Sequence, residues 1–175
     1  GQRTNAVSWT DNLGNLWLFG GQGYDSTADH GTLNDLWRYD PGTGNWTWMK
    51  GAKTVNQAGT WGTLGTPDAA NTPDARWESV SWTDASGGLC LFGGRTASNS
   101  FRNDLWKYDP ATGYWAWMKG SSGVNQKGTY GTLGTPAATN TPGARYEAVS
   151  WRDASGRLWL FGGEGYAASG GVSNL

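Results

Sequence analysis

Leu16-Trp17-Leu18-Phe19-Gly20-Gly21 is the stretch that decides the fold, because the chain contains it in three versions. It returns as Leu89-Cys90-Leu91-Phe92-Gly93-Gly94 and as Leu158-Trp159-Leu160-Phe161-Gly162-Gly163. Four apolar residues followed by two glycines predict a buried β-strand that ends at a sharp turn. Successive side chains of a strand point to opposite faces, so an all-apolar run predicts packing on both faces. We therefore expect sheets that lie between similar sheets.

The repeat extends on both sides of this strand, which we call strand B. Strand A precedes it, begins with an arginine (Arg3, Arg76 or Arg145) and ends in Val-Ser-Trp before a polar turn with aspartate and glycine. Such turns favour tight hairpins. Strand C is predicted at residues 34–40 and 103–109, and strand D at residues 45–50 and 114–119.

Strand D is joined to the next strand A by a long segment, residues 51–75 and 120–144. Both copies contain Gly-Thr-(Trp or Tyr)-Gly-Thr-Leu-Gly-Thr-Pro, and a shared pattern of this length indicates an ordered segment. The repeats are therefore predicted at residues 3–75, 76–144 and 145–175. The third is expected to stop after strand B, with Asn174 and Leu175 beginning another strand C.

Several motifs are reproduced between the first and second copies: Phe19-Gly20-Gly21, Asn34-Asp35, Tyr39-Asp40 and Trp46. With them the chain resembles the kelch repeat, and it is similar to the kelch domain of galactose-oxidase-like bacterial secreted proteins. The resemblance implies an all-β fold of four-stranded antiparallel blades of a β-propeller. About two and a half blades are expected, and the ring stays incomplete because propellers need about four to eight. Either further blades of the same protein or other chains would close it.

The composition narrows the classes of partner and the cellular location that we expect for this protein. With 29 Gly, 13 Trp, 15% charged residues and a net charge of −1, the chain has no strong field for nucleic acid or for an anionic membrane surface. We expect no nucleic-acid partner and no membrane insertion, since no apolar run is long enough to cross a bilayer. Low charge with many Thr, Asn, Gly and Trp residues fits an extracellular or cell-surface bacterial protein. The one cysteine, Cys90, is predicted to be a buried thiol.

The B–C and D–A connections are predicted to share one face, where variable loops favour ligand binding. Arg3, Arg76 and Arg145 would stand there at the mouth of a central channel, with Glu78 and Glu147 nearby. One interpretation is a ring of guanidinium groups that binds an anionic ligand. The other is that each arginine holds its own loop through backbone carbonyls.

Aromatic residues of the same loops form the second candidate site: Tyr24, Trp61, Tyr130 and Tyr166. They either stack on sugar rings or hold the long loop against its blade. Trp46 and Trp48 are expected to pack in the core or between blades. Asp25, Asp29 and His30 cluster in one loop only, and we expect a solvated loop and no metal site.

No nucleophile–base pair, carboxylate dyad or phosphate-binding loop is present in the sequence, so we predict no catalytic residues and no cofactor. The galactose-oxidase resemblance would imply copper held by two histidines and a tyrosine linked to cysteine, but this chain has one histidine. The leading hypothesis is a non-catalytic module that binds a protein or carbohydrate. The alternatives are a domain of a larger copper oxidase whose catalytic residues lie elsewhere, and a self-assembling protein that completes blades between chains.

Overall fold

The computed structural model describes residues 1–175 and contains only β-strands, turns and loops. The first repeat comprises β1 (Arg3–Thr4), β2 (Val7–Thr10), β3 (Leu16–Phe19), β4 (Gln22–Tyr24), β5 (His30–Thr32), β6 (Leu36–Asp40) and β7 (Asn45–Lys50). The second comprises β8 (Arg76–Trp77), β9 (Val80–Thr83), β10 (Leu89–Phe92), β11 (Arg95–Thr96), β12 (Leu105–Asp109) and β13 (Tyr114–Lys119). The third comprises β14 (Arg145–Tyr146), β15 (Val149–Arg152), β16 (Leu158–Phe161), β17 (Glu164–Tyr166) and β18 (Val172–Asn174). The chain has no helix that is long and apolar enough to cross a membrane.

Three antiparallel sheets carry the architecture, and we call them blades 1, 2 and 3. Blade 1 has the order β2-β3-β6-β7, blade 2 the order β9-β10-β12-β13, and blade 3 consists of β15 and β16. The strands match the predicted strands A to D in order and pairing. The all-β fold class with four-stranded antiparallel blades is confirmed, and the ring of blades is not closed within these residues.

The inner strand of each repeat is interrupted, whereas the sequence predicted one continuous strand A. Asn5, Glu78 and Glu147 stand at the break with positive φ values of 55°, 55° and 52°. A left-handed φ turns the chain out of the sheet, and it is uncommon outside glycine. The residues before the break pair instead with the chain after strand B, as β1–β4, β8–β11 and β14–β17. The prediction of an unbroken strand was wrong because nothing in these residue types marks the turn.

The connection after strand B forms a short hairpin in two repeats, β4–β5 and β17–β18. Leu175 donates its N–H to Gly163 O at 2.9 Å, the bond that Leu33 makes to Gly21 O at 2.9 Å. Leu175 is therefore the counterpart of Leu33, and Asn174 belongs to the hairpin. The prediction that Asn174 and Leu175 begin a third strand C was wrong, since register is set by backbone bonds from the Gly-Gly turn.

The core lies between the blades. Blade 1 presents one apolar face to blade 2, and the residues of this main cluster are Val7, Trp9, Trp17, Phe19, Leu36, Leu89, Leu91, Trp106, Tyr108 and Trp115. A second cluster, Val80, Trp82, Cys90 and Phe92, meets Leu160 of blade 3. The Cys90 thiol is buried there as predicted, and burial raises its pKa to about 11.

The outward faces of the first and last blades differ from the inner ones. Trp46 is 53% exposed, whereas its counterpart Trp115 in blade 2 is fully buried. Trp48 is 40% exposed as well, so within residues 1–175 neither side chain is buried in the core or between blades, contrary to the expectation. The two repeats have the same local pattern, and burial differs because only blade 2 has a blade on this side.

The long D–A segment runs along the outer edge of the next blade. Gly65 N–H donates to Trp117 O at 2.7 Å, and Asp68 N–H donates to Trp115 O at 3.2 Å. The Asn71 side-chain amide also donates to Trp115 O, at 3.0 Å. These bonds to strand β13 keep the segment ordered without regular structure of its own.

Candidate functional site

Each repeat begins with an arginine whose side chain is held beside the glycine turn. Arg76 is 1% exposed, and its guanidinium donates to Gly93 O at 3.1 Å. The other two arginines make the same bond, Arg3 to Gly20 O at 3.0 Å and Arg145 to Gly162 O at 2.9 Å. This geometry corresponds to the loop-holding interpretation, and anion binding by these residues stays a prediction.

Two of the arginines have carboxylate partners that the sequence analysis did not identify. Arg3 forms a bidentate pair with Asp35, with N···O distances of 2.7 and 2.8 Å. Arg76 pairs with Asp104 in the same way, with both distances 2.7 Å. Such paired bonds fix the orientation of both planar groups. One signal in the sequence could have identified these partners, because Asn34-Asp35 is repeated as Asn103-Asp104. An aspartate that is buried after the apolar hairpin needs a cationic partner, so the repeated aspartate points to an ion pair with an arginine.

In the second repeat this pair is extended to a network of two arginines and two aspartates. Asp74 bonds to Arg76 and also accepts from Arg102 Nε at 2.9 Å. Burial lowers the pKa of Arg76, but Asp104 and Asp74 more than offset this and raise it above the usual value. The Arg102 guanidinium lies 4.7 Å from the ring centre of Trp61. The network therefore joins the D–A segment to the strands of blade 2.

Arg145 is the exception among the three arginines. It is 8% exposed, and its other bond goes from Nε to Gly143 O at 3.1 Å. Gly143 occupies the position of Asp74, and no carboxylate of residues 1–175 pairs with Arg145. Burial lowers the pKa of this guanidinium, and Tyr130 only partly opposes the shift.

The breaks in the inner strands bring Asn5, Glu78 and Glu147 into one row across the three repeats. Glu78 N–H donates to Asn5 O at 3.1 Å, and Glu147 N–H donates to Glu78 O at 3.1 Å. The Asn5 side-chain amide donates to one Glu78 carboxylate oxygen at 3.1 Å, and the other oxygen is buried without a partner. Burial and the neighbouring Glu147 carboxylate raise the pKa of Glu78 to about 7. The sequence analysis placed both glutamates near the arginines at the channel mouth and did not predict this row.

An arginine among aromatic rings lies close to this row. The Arg95 guanidinium carbon is 4.8 Å from the ring centre of Trp77, 5.6 Å from that of Phe101 and 4.7 Å from that of Tyr146. Hydrogen bonding to Glu164 and burial raise the pKa of Tyr146 to about 12. Arg95 could not be identified from the sequence, because Gln22 and Glu164 occupy its position in the other repeats.

The four predicted aromatic residues are separated in the structure. Trp61 packs edge-on against Trp106 of blade 2, with ring centres 5.6 Å apart, which matches the loop-holding interpretation. Tyr130, its counterpart, is 54% exposed. Tyr166 packs edge-on against Phe101 with ring centres 5.8 Å apart, and Tyr24, 48% exposed, packs in the same way against His30. The structure does not bring them together into one surface, and sugar stacking by any of them stays a prediction.

The acidic loop of the first repeat, with Asp25 and Asp29, is held in shape by hydrogen bonds to the Asp25 carboxylate. Asp25 accepts bonds from Thr27 N–H at 2.8 Å and Asp29 N–H at 3.0 Å, and its second oxygen accepts from Val55 N–H at 3.0 Å. It thus fixes the B–C turn to the D–A segment. No group of three His, Cys, Asp or Glu side chains in the chain has an arrangement that could hold a metal ion.

Comparison with known proteins identifies the fold. No family model matches the chain. No curated protein sequence matches it either. Among solved structures it is similar to YjhT, with 18% identity, a TM-score of 0.62 and coverage of 95% of this chain and 46% of that one. It is also similar to a fungal alcohol oxidase of the AA5 family in complex with copper, with 14% identity and a TM-score of 0.55, covering 93% of this chain and 27% of that one.

The chain has the blade architecture of a β-propeller. The inner strands lie side by side at the centre, as shown by Ser81 Oγ donating to Ser8 O at 3.1 Å and Ser150 Oγ donating to Ser81 O at 3.2 Å. The chain spans about half the length of YjhT and about a quarter of the oxidase. At these identities the similarity establishes the fold and not the activity.

Proposed function

We propose that this chain is a non-catalytic binding module of a propeller, and that its ligand is a protein or a carbohydrate bound on the B–C/D–A face. The observation that carries the proposal is the row of Asn5, Glu78 and Glu147. Two carboxylates occupy equivalent positions of adjacent blades, without an ion-pair partner, and burial together with the neighbouring Glu147 carboxylate raises the pKa of Glu78 to about 7. Strained backbone and unbalanced charge that recur at one place are typical of ligand sites.

The chemistry of the row selects the kind of ligand. Carboxylates and an amide oxygen accept hydrogen bonds, so the ligand would supply donors, either sugar hydroxyls or the cationic side chains of a protein. Tyr166 packs against the buried cluster of Phe101 and Tyr146, and its partly exposed ring adds apolar surface of the type found in binding sites. The blades hold these residues on a rigid scaffold, which limits the entropy lost on binding.

A glycan array and a panel of Lys/Arg-rich peptides test the proposal with the 175-residue chain. We expect saturable binding to one probe class, weakened at least tenfold in Glu78→Gln and Glu147→Gln. The control is Asp153→Asn, whose carboxylate lies in an A–B turn and accepts bonds from its own turn. Equal binding by all three variants, or no binding to either panel, would overturn the proposal.

A second candidate function is a propeller domain in a larger copper oxidase of the galactose-oxidase type. It is supported by the similarity to the fungal alcohol oxidase, of which the chain covers 27%. In that case the copper ligands would lie outside residues 1–175. Copper content and alcohol oxidation by the longest protein that contains this segment would test it, and a copper-free, inactive protein would contradict it.

We also propose an extracellular or cell-surface location, which rests on the low charge and the abundance of Thr, Asn, Gly and Trp. Fractionation of cells that express the natural gene would test this location. Recovery of the protein from the cytosol alone would contradict it.

A further inference from the structure

A half-buried arginine, Arg95, lies beside Glu78 where the second and third repeats meet. Its guanidinium carbon lies over the ring of Trp77 at 4.8 Å and over that of Tyr146 at 4.7 Å. Arginine often stacks on aromatic rings in this way, and stacking holds the planar group in one place. The edge that carries the nitrogen atoms is then free for a hydrogen-bonding partner.

The structure gives this guanidinium no charged partner. Arg95 Nε is buried without a hydrogen-bond partner, and no carboxylate of residues 1–175 lies within ion-pair distance of the group. The indole N–H of Trp77, on whose ring the guanidinium packs, is also buried without a partner. Buried donors are almost always hydrogen-bonded in folded proteins, so two of them side by side mark a place for an acceptor.

The same place in the first repeat is built from different residues. Gln22 stands at the position of Arg95, and it pairs with Thr4, the counterpart of Trp77. Neither Gln22 nor Thr4 carries a charge or an aromatic ring. The guanidinium and its rings are therefore a feature of the junction between the second and third repeats and not a requirement of the fold.

Carboxylates stand close to the arginine without pairing with it. Burial and the neighbouring Glu147 carboxylate raise the pKa of Glu78 to about 7, and the charge of Arg95 opposes this rise only in part. Glu164 is hydrogen-bonded to the hydroxyl of Tyr146, whose ring lies over Arg95. The surface therefore presents one unpaired positive group beside several negative ones.

We propose that Arg95 binds a carboxylate of the ligand, and that the ligand is a peptide segment in which an acidic side chain lies between basic ones. The acidic side chain pairs with the Arg95 guanidinium, and the flanking basic side chains pair with the glutamates beside it. A purely basic segment would leave Arg95 facing like charge, and a neutral sugar would leave every charge unpaired. This inference rests on the proposed function, because it names the ligand of the same site and selects a protein over a carbohydrate.

The probes are labelled heptapeptides of alternating lysine and glycine in which the central glycine is replaced by glutamate or by glutamine. Each is titrated with the 175-residue chain and followed by fluorescence anisotropy. We expect the glutamate peptide to bind about tenfold more tightly than the glutamine peptide, although its positive charge is lower.

Arg95→Gln should remove this preference, so that the two peptides bind equally. The variant is expected to fold, because glutamine already occupies this position in the first repeat as Gln22. Arg157→Gln is the matched control, since this side chain is 71% exposed in an A–B turn, and it should keep the preference. In NMR spectra the indole N–H signal of Trp77, assigned with Trp77→Phe, should move further with the glutamate peptide than with the glutamine peptide.

Equal binding of the two peptides by the wild type, or a preference that survives in Arg95→Gln, would overturn the inference. If Glu78→Gln still weakened the binding of both peptides, the proposed function would stand without it. Failure of both peptides to bind would also overturn the inference, and the proposed function would then depend on the glycan array.

Discussion

Gly21 donates its backbone N–H to the carbonyl oxygen of Arg76 at 2.9 Å, and this bond joins the turn of one blade to the inner strand of the next. Gly94 makes the same bond to Arg145 O at 2.8 Å. In return, Arg76 N–H donates to Leu33 O at 3.1 Å. The paired glycines are therefore the points at which successive blades approach backbone to backbone.

Gly20→Ala tests this close approach. Gly20 has a φ of +66°, and a Cβ there would lie 2.6 Å from Arg76 O. We expect a loss of about 2–4 kcal/mol in the free energy of unfolding, from backbone strain plus overpacking. The control is Gly44→Ala, where φ is +73° and no atom lies within 4 Å, so only the strain of about 1 kcal/mol applies. Urea denaturation measures both, and equal losses would show that the approach of the blades is not as described.

The buried network gives a second prediction. Asp104→Asn leaves Arg76, which is fully buried, with one carboxylate instead of two. We expect a loss of about 3 kcal/mol, because a buried charge that loses its partner is strongly destabilising. Arg157→Gln removes an ion pair to Asp153 in which the arginine side chain is 71% exposed, and it should leave the free energy of unfolding nearly unchanged. Similar thermal midpoints for the two variants would contradict the burial of the network.

The glutamate row predicts a pH dependence of stability. The pKa of Glu78 is about 7 in the folded chain against an ordinary value of 4.5, so the folded state binds the proton more tightly. Its contribution to stability is complete below pH 4.5 and is lost as the pH rises to about 7. Glu78→Gln should therefore raise the free energy of unfolding at pH 8 by about 1 kcal/mol, and should leave it almost unchanged at pH 4. The expected gain is modest because solvent screens a partly exposed pair of charges.

Urea midpoints of the wild type and of Glu78→Gln at pH 4, 6 and 8 measure this effect. Glu147→Gln is the companion variant, because removal of either carboxylate relieves the repulsion. If neither substitution reduces the loss of stability between pH 4 and 8, the two glutamates do not interact.

The counterparts Trp61 and Tyr130 should respond differently to truncation. Trp61 packs on Trp106 and under Arg102, and its replacement by alanine removes a half-buried ring from the edge of the core. We expect Trp61→Ala to cost about 2 kcal/mol and Tyr130→Ala less than about 1 kcal/mol. Equal costs, measured by thermal unfolding, would show that the two segments are packed alike.

The sequence predicted the elements that depend on local pattern. Strands such as β3 and β10 follow from the apolar run before Gly-Gly, and the turns follow from aspartate and glycine at short spacing. The position of the D–A segment on strand β13 did not follow, since its bonds join Asp68 to Trp115, far away along the chain.

The sequence analysis also did not predict which tryptophans are buried or which arginines and aspartates form ion pairs, and the reason is physical. Trp46 and Trp115 have nearly identical local sequences, yet one is 53% exposed and the other fully buried, because burial depends on whether a blade packs over the ring. Arg76 and Asp104 are separated by 28 residues, and only the folded turn brings them together. The break at Glu78 requires a left-handed φ that glutamate does not signal.

The central claim is that consecutive repeats pack face to face as blades, and the indole of Trp9 reports on it directly. In the structure its N–H donates to Cys90 O at 3.0 Å, across 81 residues of sequence, and Trp82 makes the same bond to Trp159 O. NMR of the labelled chain, with indole signals assigned by Trp→Phe variants, should show a nuclear Overhauser contact from the Trp9 indole proton to the backbone amide of Leu91, together with slow exchange of that proton. An indole proton of Trp9 that exchanges as fast as that of the 46% exposed Trp151, with no contact to residues 90–91, would contradict the stacked-blade arrangement.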